Sequence, residues 1–274
     1  MKTLTGSLIA LVACLGAVTV GCGSKATDTG STSADASENA DSAEVGASSS
    51  QTSRFDEMLY APVAGQDPEA AAGSVVAAQW WPAGCASRAR DATNKSVVKV
   101  TLNDCSGPFG LAHHTGEITV TFSKNADGSL HAQAAGSNMT VNGKAVTYSA
   151  DADITVNGAT RTVKFNGAWT RESAKGETIS HTRTGTSVID TSTKCRDTNG
   201  SSVTKVGARE VDSAMKDYKT CRKADGSDAC PTGEIIHSHK LSGKSITVEF
   251  DGSAQAKVTG PKGNSIELPL VCTP

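Results

Sequence analysis

From Val97 to the C-terminus, apolar and polar residues alternate with a period of two. The stretches SVVKVTL, GEITVTF, SLHAQAAG, NMTVNG, KAVTYSADADITVNG, TRTVKFNGAW, ETISHTRTGTSVID, SSVTKVGAREV, SITVEF, AQAKVTG and SIELPLV carry the pattern. Such alternation sends successive side chains to opposite faces of a strand, and many positions hold β-branched residues. Turn signals separate the runs: Asp127-Gly128, Asn142-Gly143, Asn157-Gly158, Asn166-Gly167, Asn199-Gly200, Asp225-Gly226 and Asp251-Gly252. These dipeptides tolerate the positive φ angles of a two-residue hairpin. The pattern predicts an all-β antiparallel meander forming a sandwich or open barrel; the choice depends on register and shear.

Ahead of the meander, Asp67-Pro68-Glu69-Ala70-Ala71-Ala72 reads as a helix start. Asp is the N-cap, Pro takes the first position and Glu sits in the first turn. The helix is expected to run to about Ala78 and to end before Trp80-Trp81-Pro82, where the tryptophan pair reads as a core plug. Two short phrases recur: TVNG at Thr140–Gly143 and Thr155–Gly158, and TGEI at Thr115–Ile118 and Thr232–Ile235. Two related halves of one sheet system and a shared hairpin vocabulary both account for them.

The N-terminus follows a different pattern. Met1-Lys2 supplies a positive charge, residues 4–20 are largely apolar, and Cys22 stands at the border with a polar stretch. That is the layout of an export signal over residues 1–21. Residues 23–53 are mainly Gly, Ser, Thr, Ala, Asp and Glu, including Asp28, Asp35, Glu38, Asp41 and Glu44. A segment with so little to bury cannot offset its ordering entropy and is expected to be a disordered tether. The folded domain is then residues 54–274.

Thr19-Val20-Gly21-Cys22 resembles a lipobox, the processing site of bacterial lipoproteins. Leu11-Val12-Ala13-Cys14 also fits, but cleavage there strands apolar residues 15–20, so Cys22 is preferred. The resemblance implies cleavage before Cys22 and acylation of it, with the chains holding the protein on a membrane without a spanning helix. Gly23 is not the Asp that retains some lipoproteins in the inner membrane, so the outer membrane is expected. Together with the tether and the C…TGEITVTF…TVNG meander, the chain resembles lipid-anchored all-β domains of Gram-negative bacteria, myxobacteria especially. That resemblance brings no activity with it.

Composition sharpens this picture. Aromatic residues are only 4 % of the chain, so the core must be built from Val, Ile, Leu and Ala. The net charge of −2 argues against a nucleic-acid partner. Cys85, Cys105, Cys195, Cys221, Cys230 and Cys272 remain after cleavage, an even number in an exported chain, which points to disulfides. Cys221 and Cys230 lie symmetrically about Asp225-Gly226, so a two-residue turn would place them opposite one another. The favoured pairing is Cys85–Cys105, Cys221–Cys230 and Cys195–Cys272; its main rival pairs Cys195 with Cys221 and Cys230 with Cys272.

Catalytic motifs are weak. His237 and His239 share one face of a strand, which could begin a metal site, but no Glu follows at a short distance. A metal-dependent enzyme would need a third ligand from His113, His114, His131 or His181. The plainer reading of both His-containing stretches is a solvated surface. Ser-x-x-Lys occurs at Ser96/Lys99, Ser202/Lys205 and Ser213/Lys216, too often to be specific. Gly-x-Ser-x-Gly, phosphate-loop and dinucleotide fingerprints are absent from the sequence. DADITVNG lacks the glycine placement of a calcium loop. The expectation is a non-catalytic envelope protein without a cofactor. Its partners would be the membrane, through Cys22, and an envelope protein or glycan. The alternatives are a carrier of an apolar ligand and a metal-dependent enzyme using His237 and His239.

Overall fold

A computed structural model describes residues 45, 55, 65–75, 80, 82–106, 113–173, 176–224, 227–270 and 272. The expected signal peptide, Cys14 and Cys22 lie outside these residues. Of the expected tether only Val45 is described, and it is helical and buried.

The chain enters through a short helix α1 (Pro68–Ser74) and continues as β1 (Ala86–Arg90), β2 (Val97–Ser106), β3 (His113–Lys124), β4 (Leu130–Val141), β5 (Lys144–Asn157), β6 (Thr160–Glu172) and β7 (Thr178–Asp190). Then come β8 (Cys195–Val206), β9 (Arg209–Cys221), β10 (Thr232–His239), β11 (Ser245–Asp251), β12 (Gln255–Thr259) and β13 (Ser265–Pro269). Every strand pairs antiparallel with its sequence neighbours, giving one open sheet of thirteen strands in chain order. β1 and β13 are its two edges.

The expected N-cap of α1 is present: Asp67 Oδ1 accepts from Ala70 N at 2.7 Å, with Pro68 in the first position. The helix packs on β3 and β2. Edge strand β1 ties it down, because Arg88 donates to the carbonyls of Gly73 and Val75 and Arg90 to that of Glu69.

One face of the sheet is buried, and we call it the inner face. Val98, Val100, Ile118, Val120, Leu130 and Ile154 are all 0 % exposed, with Phe55, Trp80 and Trp169 packed among the same cluster. Trp80 is thus a core plug, and its partner Trp81 lies outside the described residues. A second, smaller cluster, Val248, Phe250, Ala256, Val258 and Leu270, serves β11–β13.

Asp127-Gly128 and Asn142-Gly143 fall between consecutive strands, and Asn157-Gly158 and Asp251-Gly252 begin at the last residues of β5 and β11. Asn166-Gly167 and Asn199-Gly200 do not; they lie within β6 and β8. Packing explains their glycines. Gly185 and Gly200 face each other, and a Cβ on Gly185 would come within 2.8 Å of Phe165 Cζ. Gly167 lies beneath Arg183, whose Nε would be 3.8 Å from an added Cβ. Asp225-Gly226 lies outside the described residues.

The repeated TGEI phrase has a structural counterpart. Gly116 and Gly233 adopt φ of 126° and 107°. Each faces a bulge on a neighbouring strand, centred on a non-glycine residue at positive φ, Asn138 (50°) or Asp217 (47°). An added Cβ would lie 2.6 Å from the Asn138 carbonyl oxygen at Gly116 and would collide likewise with that of Asp217 at Gly233. The bulged strand follows the glycine strand in one case and precedes it in the other. Gly116→Ala and Gly233→Ala are each expected to destabilise by about 2–3 kcal/mol, since backbone atoms cannot yield as a side-chain tip does. Gly260→Ala, with only a 3.8 Å contact, should shift the urea midpoint little in the same assay.

Candidate functional site

The cysteines form three bridges: Cys85–Cys105, Cys195–Cys221 and Cys230–Cys272. The favoured pairs Cys221–Cys230 and Cys195–Cys272 are therefore corrected to the rival pairing. Register is the reason. Arg222 bridges Asp228, Lys223 N donates to the Ser227 carbonyl, and Ala229 N donates to the Cys221 carbonyl. Ala229, not Cys230, then lies opposite Cys221, and a one-residue slip sends Cys230 to the other face. Cys221 instead stands directly across from Cys195 in the β8–β9 ladder, with Cα atoms 4.0 Å apart. Three disulfides place the folded chain in an oxidising, extracytoplasmic environment. No helix among the described residues is long and apolar enough to cross a membrane.

The histidines depart from the solvated reading. His237 and His239 do share a face, but it is the inner one, where they are 5 % and 6 % exposed. His114 is also buried, against Trp80 and Phe55, at ring distances of 5.1 and 6.0 Å. His113 is exposed, with Nδ1 2.8 Å from Asp104 Oδ1. His131 lies on the outer face beside Asp153. His181 is buried, with Nδ1 2.9 Å from Thr204 Oγ1. No three potential metal ligands come together among the described residues, so His237 and His239 gain no third ligand there.

Ser213 Oγ lies 2.8 Å from His237 Nδ1, within reach for a nucleophile and its base. The other ring nitrogen, Nε2, is buried and has no partner among the described residues, so no carboxylate orients the pair. Lys216, the third member of that Ser-x-x-Lys, points to the outer face and pairs with Glu234.

Register sorts the charged side chains by type. Lys99–Glu117, Lys205–Glu210, Lys216–Glu234 and Lys257–Glu249 are cross-strand ion pairs on the outer face. Arginine goes to the other face. Arg88 and Arg90 pair with Val100 and Val98, Arg161 with Val156 and Ile189, Arg171 with Val146 and Ile179, and Arg209 with Val206. Arg183 alternates with His181 and Arg196 with Thr198, both buried. Sequence reading missed this segregation, because no arginine marks its face until its neighbours are known.

A buried polar band therefore divides the two apolar clusters on the inner face. One row runs Trp169, His181, Thr204, Val211, His239, and the next runs Gly167, Arg183, Ser202, Ser213, His237. Burial dominates its electrostatics. It pushes His181 down to about 4. His237 falls to about 4 as well, through burial and then the neighbouring His239. The Arg183 guanidinium is pushed down to about 9 by burial, with Arg196 adding repulsion. Arg183 lies over the Phe165 ring at 4.7 Å.

No protein-family model matches the chain, and no curated protein or solved structure matches it.

Proposed function

We propose that the protein is a lipid-anchored component of the outer membrane, held through acylated Cys22, with a non-catalytic binding or structural role at the envelope. The carrying observation is the outer face of the sheet. A continuous row of polar side chains crosses β3–β8 in register: Thr121, Gln133, Asp151, Asn166, Thr184 and Ser201. Hydroxyl, amide and carboxylate groups at the regular spacing of neighbouring strands suit the hydroxyls of a glycan or the polar surface of an envelope protein. The apolar part of the inner face is filled by its own side chains, which favours this reading over a carrier of an apolar ligand. The bridges support it too, since all six cysteines of the domain are used as staples.

The test is the intact mass of protein extracted from its own membranes without reductant, then alkylated. A chain beginning at Cys22 with added acyl mass and no alkylated thiol is expected. Cys22→Ala should move the protein into the soluble fraction. An unacylated chain cut elsewhere sinks the anchor, and thiols that react at once sink the extracytoplasmic staple.

A further inference from the structure

The phrase TVNG occurs at Thr140–Gly143 and again at Thr155–Gly158, and each copy ends in Asn-Gly. An asparagine followed by glycine carries the groups needed to modify itself. The glycine amide nitrogen attacks the asparagine Cγ, and the glycine has no Cβ to obstruct the approach. The sequence leading into the pair is the same in both copies, so it cannot separate them. The fold does.

Asn142 is held. It adopts φ of 50°, its Oδ1 accepts from His113 N at 2.9 Å, and its own N donates to the His113 carbonyl at 2.8 Å. The carbon that would be attacked is thus fixed to the start of β3. Asn157 is the last residue of β5 and is paired on one side only, with Thr160 across the tip. Asn157, Gly158 and Ala159 are all exposed. Among the described residues, neither the Asn157 side chain nor Gly158 N makes a hydrogen bond. An added Cβ on Gly158 would meet nothing within 4 Å. Swinging Gly158 N onto Asn157 Cγ therefore costs a single terminal pair, the kind that frays most readily. The other two Asn-Gly pairs lie inside strands. Asn166 is paired on both sides, with Asp151 and Thr184, and Asn199 Oδ1 accepts from Asp217 N at 2.8 Å. Bringing either glycine nitrogen into line would break ladder pairs.

We propose that Asn157 is a self-modification site, a deamidating residue that the fold singles out from the four Asn-Gly pairs of the chain. In the step, a bond forms between Gly158 N and Asn157 Cγ, and the Cγ–Nδ2 bond breaks. The proton lost by Gly158 N leaves with Nδ2 as ammonia. Water then opens the succinimide ring at either carbonyl, giving aspartate at one and isoaspartate at the other. Both products set a carboxylate on the outer face, at the start of the row Asn157, Thr160, Asp190. The isoaspartate also lengthens the backbone where only Gly158 and Ala159 join β5 to β6, so it disturbs the register that this tip fixes.

The experiment incubates the full chain, disulfides intact, in mildly alkaline buffer. Samples are digested in mild acid and mapped by mass spectrometry at each Asn-Gly. Asn157 is expected to convert about a hundredfold faster than Asn166 or Asn199, and about tenfold faster than Asn142. In urea, with the disulfides reduced, the rates at Asn157 and Asn142 should converge, because the same TVNG precedes both. Conversion of the folded chain at Asn142, Asn166 or Asn199 as fast as at Asn157 overturns the proposal. So does an absence of conversion at Asn157 while the unfolded chain converts. A preference for Asn157 that persists unchanged on unfolding overturns it as well, since the following residues, Lys144 and Ala159, would then set the rates instead of the fold.

Discussion

Replacing Cys230 and Cys272 by serine is expected to cost about 4 kcal/mol, against about 3 kcal/mol for loss of Cys85–Cys105. The ranking follows from the closed loops, 42 residues apart in sequence in one case and 20 in the other. It is reinforced by what each bridge holds. Cys272 packs on the small cluster of Val248, Phe250, Ala256, Val258 and Leu270, which carries two strands of only five residues at the end of the sheet. Cys105 belongs to the large cluster, which has many other contacts. The loss should therefore be local. Hydrogen exchange at the Ala256 and Val258 amides is expected to quicken by two to three orders of magnitude, roughly what about 4 kcal/mol allows, while Ile118 and Val120 stay protected. Equal acceleration at all four amides would show that the two clusters open as one unit, contrary to this expectation.

The local parts of the fold were readable from the chain. Alternation located the strands, and Asp127-Gly128, Asn142-Gly143, Asn157-Gly158 and Asp251-Gly252 marked turns. The reading failed where one signal served two purposes. Gly167 and Gly200 look like turn glycines, but they make room for Arg183 and for the close approach of Gly185. The turn at Gly207 between β8 and β9, inside VTKVGAREV, has no Asn or Asp before its glycine and so gave no signal. Cysteine pairing failed by a single residue of register, because sequence symmetry about Asp225-Gly226 cannot reveal that Ala229, not Cys230, pairs with Cys221. The site was harder still. Arg161 and Arg183 stand between threonines, and Arg171 between Thr170 and Glu172, so each resembles a solvated position. Only the cross-strand partners, such as Val146 and Ile179 for Arg171, assign it to the inner face. His237 and His239 were placed on one face correctly, but Ser213 and Ile246 decide which face it is.

Acidification should unfold this protein through its buried imidazoles. His181 and His237 sit at about 4 in the folded chain, below the ordinary value of 6.5, because burial disfavours the charged ring. Between those two values the unfolded chain binds protons that the folded chain refuses. Stability is thus fully present above about pH 6.5 and declines as pH falls toward 4. Each histidine accounts for a loss on the order of 3 kcal/mol by pH 4, at about 1.4 kcal/mol per pH unit. The carboxylates act elsewhere. Asp153, held below the usual range by His131 and then Asn125, loses its contribution only as pH drops below 3.8. Asp228, raised by burial, works in the opposite direction near the bottom of the window. The interval from pH 6.5 to about 5 therefore reports the imidazoles with the least interference. Urea midpoints measured across it should fall steadily in the native chain. They should fall less steeply in His181→Gln or His237→Gln, and least steeply in the double variant. A native profile already flat between pH 6.5 and 5 would mean that these rings are protonated in the fold, and that the inner face supplies them with an acceptor.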